Sequence, residues 1–120
     1  MTELKRGMVI DVNLDPALGS ETGKIRPCIV VTNDIYNARV PVIQVVPITA
    51  WSEKKALIKT NVEIEPTAEN GLTKKSIADC LQTRPIDINL RLVQIRGKIS
   101  DRLLEAIDES LIMVFGLPRR

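Results

Sequence analysis

The chain has 120 residues, 44% of them hydrophobic, with a mean hydropathy of +0.04 and a formal net charge of +2. That length suits one domain over residues 1–120 around one core, and the apolar content excludes an extended disordered chain. No stretch approaches the roughly 18 apolar residues of a membrane span and no signal-peptide-like run opens the chain, so a cytoplasmic protein is expected, while so small a net charge does not by itself point to nucleic acid.

Met8, Ile10 and Val12 alternate with Asp11 and Asn13 before Asp15-Pro16 stops the run, which predicts a half-buried first strand. A polar, glycine-punctuated loop from Asp15 then delivers Arg26 to the head of the apolar run Pro27-Cys28-Ile29-Val30-Val31. The run predicts a buried strand, and it holds a permanent cation where a loop meets a rigid scaffold, an arrangement suited to an anion such as phosphate. Asn33 to Asn37 predicts a turn or a single helical turn. Val42 to Thr49 resumes extended structure, with Pro47 implying a bulge or an edge. Asn61 to Glu65 alternates, Pro66 to Gly71 is a turn, and Ser76 to Arg84 and Val93 to Ile99 supply two further strands. Six short strands at close spacing predict a small barrel or sandwich. The C-terminal segment reads as one amphipathic helix: Ser100 caps it, Leu104, Ile107, Leu111 and Phe115 form its apolar stripe, and Gly116 and Pro118 end it.

The sequence contains no histidine, so neither a zinc site of ordinary ligand type nor the usual neutral-pH acid and base is available. No metal and no cofactor is expected. Cys28 and Cys80 lie in apolar runs and read as buried thiols, with a disulfide as the alternative. Positive charge clusters at Lys54, Lys55 and Lys59, at Lys74 and Lys75, and at Arg84, Arg91, Arg96 and Lys98. A solvated surface accounts for such clusters as readily as a binding face does.

Lys5-Arg6-Gly7, Asn13-Leu14-Asp15-Pro16, Gly19-Ser20-Glu21, Arg26-Pro27, Val31-Thr32-Asn33-Asp34, Val46-Pro47-Ile48-Thr49, Gln82-Thr83-Arg84 with Ile86-Asp87, and a closing helix ending in Gly116-Leu117 occur in this order. Together they resemble the MazF/PemK-type toxins of type II toxin–antitoxin modules over almost the whole chain. The resemblance implies a mainly β fold with a C-terminal α-helix, an SH3-like small barrel of the MazF/PemK/CcdB kind. It further implies a homodimer, a metal-independent endoribonuclease acting on single-stranded RNA, and a cognate antitoxin protein as partner. By position it assigns the essential arginine to Arg26 and the active-site threonine to Thr49, with Ser20, Glu21 and Gln82 lining the RNA site. Arg84, in the same motif as Gln82, joins them as an RNA-contact candidate. Many relatives carry an acid immediately before the glutamine, where this chain has Leu81. Asp79, placed by strand alternation on the same face, is the substitute, unless it is a strand-edge charge. Trp51 either stacks on a base or covers the core.

Cleavage of RNA without a metal proceeds most simply by attack of the 2′-hydroxyl on its own phosphate, leaving a 2′,3′-cyclic phosphate and a 5′-hydroxyl. Arg26 suits stabilisation of the phosphorane oxygens and Thr49 donation to one of them. Glu21 is the first candidate for the base and Asp79 the second; the alternative for Arg26 is a strand-end ion pair with Glu21 or Asp11. Two alternatives stand beside this reading. One is a CcdB-like gyrase inhibitor, against which the tryptophan-free tail argues, and the other a catalytically silent RNA-binding barrel, which Leu81 favours.

Overall fold

A nine-residue strand, β3 (Val42–Ala50), organises the sheet in the computed structural model, which describes residues 3–118. The other strands are β1 (Met8–Asn13), β2 (Ile25–Val30), β4 (Asn61–Ile64), β5 (Ser76–Asp79), β6 (Arg84–Asp87) and β7 (Leu92–Lys98). All pairings are antiparallel, in the order β4-β5-β3-β2-β1-β7, with β6 added to β3. The sheet curls into a barrel-like form and does not close, as β4 and β7 remain its ends. Three single-turn helices, α1 (Asp34–Asn37), α2 (Glu53–Ala56) and α3 (Ile88–Arg91), lie in the connections, and α4 (Asp101–Phe115) follows β7.

β1, β2 and β3 bury both faces, so β1 is not the half-buried strand that its alternation predicted, because Val9 and Asp11 are buried as well as Ile10 and Val12. The same two-sided burial is why β2 reads as a continuous apolar run. Val9, Ile29, Val46 and Ile48 face one cluster together with Ile64, Ala78 and Ile107, while Ile10, Val12, Cys28, Val30 and Val45 face a second with Ile43 and Ile86. Cys28 and Cys80 are buried and unbridged, and burial pushes the Cys28 thiol up to about 12, so both behave as small apolar residues.

The stretch predicted as one strand from Ser76 to Arg84 is two. β5 pairs with the end of β3, Ile48 to Ala50, then a 3₁₀ turn over Cys80–Gln82 lets the chain rejoin β3 as β6 along Val42 to Val45. The turn ends strand alternation, so Asp79 and Leu81 do not share a face by that rule, and seven strands stand where six were predicted. Pro47 falls between these two partners on that edge of β3, where its missing N–H interrupts no ladder bond.

Helix α4 begins and ends as its caps predict: the Ser100 side chain accepts from the Leu103 N–H, and Gly116 adopts a left-handed conformation at φ 64°. Its core-facing stripe is Leu103, Leu104, Ile107, Leu111 and Val114. Phe115, assigned to that stripe from the sequence, is 61% exposed because the 3.6-residue period carries the buried face to Val114 instead.

Candidate active site

The loop between β1 and β2 is tied down by its own polar side chains. Asn13 Oδ1 accepts from the Asp15 N–H at 3.0 Å, Asp15 Oδ1 from the Lys24 N–H at 2.8 Å, and Glu21 Oε1 from the Leu18 N–H at 2.8 Å. The rest of the chain braces it from outside, since Arg91 Nη1 donates to the Asn13 and Asp15 carbonyls and Arg84 Nη1 donates to the Leu14 carbonyl. Arg26 leaves this loop at the head of β2, half-buried, and its Nε donates to the Gly23 carbonyl at 3.0 Å. One edge of the guanidinium is thereby held by the loop. The expected alternatives for Arg26, ion pairs with Glu21 or Asp11, do not occur: Glu21 is used within the loop, and Asp11 pairs with Arg96 at 2.6 Å.

Thr49 reaches the same place from β3. It lines, with Arg26, a cleft of about 200 Å³ whose other polar walls are Thr73, Lys74, Ser76 and Arg96. The lining side chains thus bring cations from β2, from β7 and from the loop before β5, and include no carboxylate. Thr49 Oγ1 accepts from Lys55 Nζ at 3.3 Å, which leaves the threonine proton available to donate outward. Lys55 has no periodic relation to Thr49; the α2 turn, capped by Ser52 accepting from the Lys55 N–H, folds it back. Only its place in a lysine cluster marked it in the sequence.

The remaining candidates lie elsewhere. Glu21, Gln82 and Arg84 line a second cleft of about 390 Å³ together with Leu81. The Gln82 amide spends both ends on the loop, accepting from the Thr22 N–H at 3.2 Å and donating to the Ser20 carbonyl at 3.0 Å, so it sets the loop's position. The Ser20 side chain stays exposed on the loop's outer surface. Trp51 is 37% exposed and belongs to neither core cluster; its Nε1 donates to Glu63 and Lys75 Nζ sits 4.7 Å from its ring centroid. One face of the indole is therefore already used by a lysine.

Asp79 ends β5, half-buried, and lines neither cleft. Burial pushes its carboxyl above the ordinary aspartate range, partly offset by the nearby Gln82 and Leu81 N–H groups and the charge of Lys55. A raised acid in the folded state favours folding below its unfolded pKa and loses that contribution as pH rises through the folded one. Asp79→Asn is therefore expected to be more stable than the parent at pH 7, with the gain shrinking toward pH 4. Urea unfolding at the two pH values checks this, and equal differences at both would contradict it.

Residues 5–115 match the family described as PemK-like, MazF-like toxin of type II toxin-antitoxin system. The chain is 37% identical over 114 residues to Endoribonuclease EndoA of Bacillus subtilis, covering 95% of this chain and 96% of that protein. Its fold resembles that of MazF from Deinococcus radiodurans, with a TM-score of 0.82 and 19% identity over 98% of this chain and 100% of the other. It also resembles a mycobacterial endoribonuclease solved in complex with its cognate antitoxin, with a TM-score of 0.74 and 20% identity over 96% and 97% of the two chains. With the match running from Lys5 to Phe115, the chain belongs to the PemK-like, MazF-like toxins of type II toxin–antitoxin systems.

Proposed function

We propose that this toxin is an endoribonuclease that cuts single-stranded RNA by 2′-hydroxyl attack, leaving a 2′,3′-cyclic phosphate and a 5′-hydroxyl. The observation that carries it is the meeting of Arg26 and Thr49, from different strands, on one cleft with Lys74 and Arg96. A phosphodiester seated there presents two non-bridging oxygens. Arg26 offers its remaining N–H groups to the developing charge, and Thr49, whose oxygen already accepts from Lys55, donates its proton to the other oxygen. Glu21 is proposed as the base, on the loop whose Gly23 carbonyl aims Arg26, so that RNA crossing from the second cleft to the first would bring its 2′-hydroxyl toward that carboxylate. As the P–O5′ bond breaks, the leaving 5′ oxygen takes its proton from solvent. Asp79, which lines neither cleft, is the second candidate, at the end of the strand that pairs with β3 beside Thr49.

By likeness to the mycobacterial complex, a cognate antitoxin is the proposed protein partner. Membership of the toxin family carries a homodimer as the proposed assembly. No helix among the described residues is long and apolar enough to cross a membrane, and a cytoplasmic location suits a protein acting on mRNA.

The test is incubation of purified protein with a long RNA in EDTA, followed by mapping of 5′ ends. Cutting at a short recurrent sequence with 5′-hydroxyl ends is the expected result. The carboxylate-free lining of the Arg26 cleft favours one second reading, a barrel that binds RNA without cutting it. RNA retained but intact would establish that reading, and RNA neither bound nor cut would overturn both.

A further inference from the structure

Asp11 is the only acid among the buried residues of the described chain, at 4% exposure, on β1 between Pro27 of β2 and Gln94 of β7. Both of its oxygens are used: Oδ1 accepts from Arg96 Nε at 2.6 Å and Oδ2 from Gln94 Nε2 at 2.6 Å. With its carboxylate buried and its guanidinium partly exposed, the pair carries the desolvation cost of Asp11 against an attraction that solvent partly screens, so stability alone gives little reason for it. What it does achieve is orientation. Arg96 is held at Nε by Asp11 and at Nη1 by the Gly71 carbonyl at 2.9 Å, while Nη2 has no acceptor among the described residues. The side chain is 29% exposed and lines the same cleft as Arg26 and Lys74. The Asp11 carboxylate also offsets its charge, which lets two arginines share one small cleft without strong mutual repulsion.

We infer that Arg96, positioned by Asp11, binds a second backbone phosphate of the RNA, next to the one held by Arg26 and Thr49. The inference rests on the RNA-cleaving activity proposed above. One diester carries a single negative charge and two non-bridging oxygens, and Arg26 with Thr49 already serves both. A second fixed fork is matched by the neighbouring phosphate. The substrate class is thereby narrowed to oligoribonucleotides with at least two phosphates across the cleft, and a dinucleotide is too short to fill it.

The experiment uses a short RNA containing the mapped cleavage site, in versions where one non-scissile phosphate at a time is a neutral methylphosphonate. For the parent protein, one position adjacent to the scissile phosphate is expected to raise KM about tenfold when neutralised. In Arg96→Gln that same replacement is expected to have no further effect. The variant's KM on unmodified RNA rises by a similar factor, and its slope of log KM against log salt falls by about 0.7. Arg96→Lys recovers the salt slope in part, because it keeps the charge and loses the fork. Arg96→Gln leaves the Asp11 carboxylate buried without its cation, so Asp11→Asn/Arg96→Gln is made beside it, and the expectation holds for whichever melts as a folded protein. Equal methylphosphonate sensitivity in the parent and the folded variant overturns the inference, as does the absence of any sensitive position in the parent. Failure of the parent to cut any RNA overturns the activity itself and is told apart by the unmodified substrate.

Discussion

Arg26→Ala is expected to lower the rate of RNA cleavage by about 10²–10³-fold, the usual cost of removing one preorganised donor from a developing oxyanion. The side chain stands at a strand head, so its backbone is fixed by pairing with Val12 on β1 while its guanidinium reaches the cleft. No carboxylate among the described residues pairs with it, so none is left unsatisfied when it is removed. The fold loses one hydrogen bond, from Nε to the Gly23 carbonyl, which contributes about 1 kcal/mol. For a chain of this size that corresponds to a fall in Tm of about 4 °C. A fixed oligoribonucleotide assay and a thermal melt on the same sample give both numbers. Undiminished cutting by the variant would remove Arg26 from the proposed chemistry, and a large loss of Tm would make its role structural. Arg26→Lys separates charge from geometry, because an ammonium supplies the first without the planar fork.

The largest stability effect is expected at Gly97, inside β7. A Cβ there would lie 2.0 Å from the Glu69 carbonyl oxygen and 3.0 Å from the Glu69 carbonyl carbon. Both are backbone atoms, so no side-chain rotation relieves the overlap. The close approach exists because the turn ahead of β5 docks on β7, where the Lys98 N–H donates to the Glu69 carbonyl at 2.9 Å. Gly97→Ala must push that turn away and break this bond, at a cost of about 3 kcal/mol or more, seen as a fall in Tm of about 10 °C. The same turn leads into Thr73 and Lys74 on the cleft wall, so KM for RNA is expected to rise in molecules that remain folded. Gly19→Ala is the comparison: it has a left-handed φ of 57° and nothing within 4 Å of the added carbon, so it meets only the backbone penalty of roughly 1 kcal/mol. Equal melting of the two variants would show that the turn yields easily.

Much of the fold was legible along the chain because its signals are local. The alternation over Met8 to Val12, the apolar run after Pro27 and the Ser100 and Gly116 caps depend on a residue and its near neighbours, and the elements form where those patterns lie. The break at Cys80–Gln82 was not legible, since the stretch has strand composition on both sides of it. It is imposed by β3, which offers two separate lengths of one edge to the same returning segment. Leu81, placed at a strand position from the sequence, consequently lies on a turn and lines the second cleft rather than the one holding Arg26.

Arg26 could be singled out from the sequence because a cation between a glycine-containing loop and a buried strand is a local pattern. The absence of histidine likewise bounds the chemistry from the sequence alone. Which groups accompany Arg26 was decided only by tertiary structure. Thr49 arrives through antiparallel pairing of β2 with β3, and Lys55 through the α2 turn that folds it over Thr49. Arg96 is bound to Asp11 across 85 positions of sequence, through the pairing of β1 with β7. Contacts of that range are set by strand order and register, which no periodicity records, so the sequence determined which cation could hold a phosphate while the fold decided what stands around it.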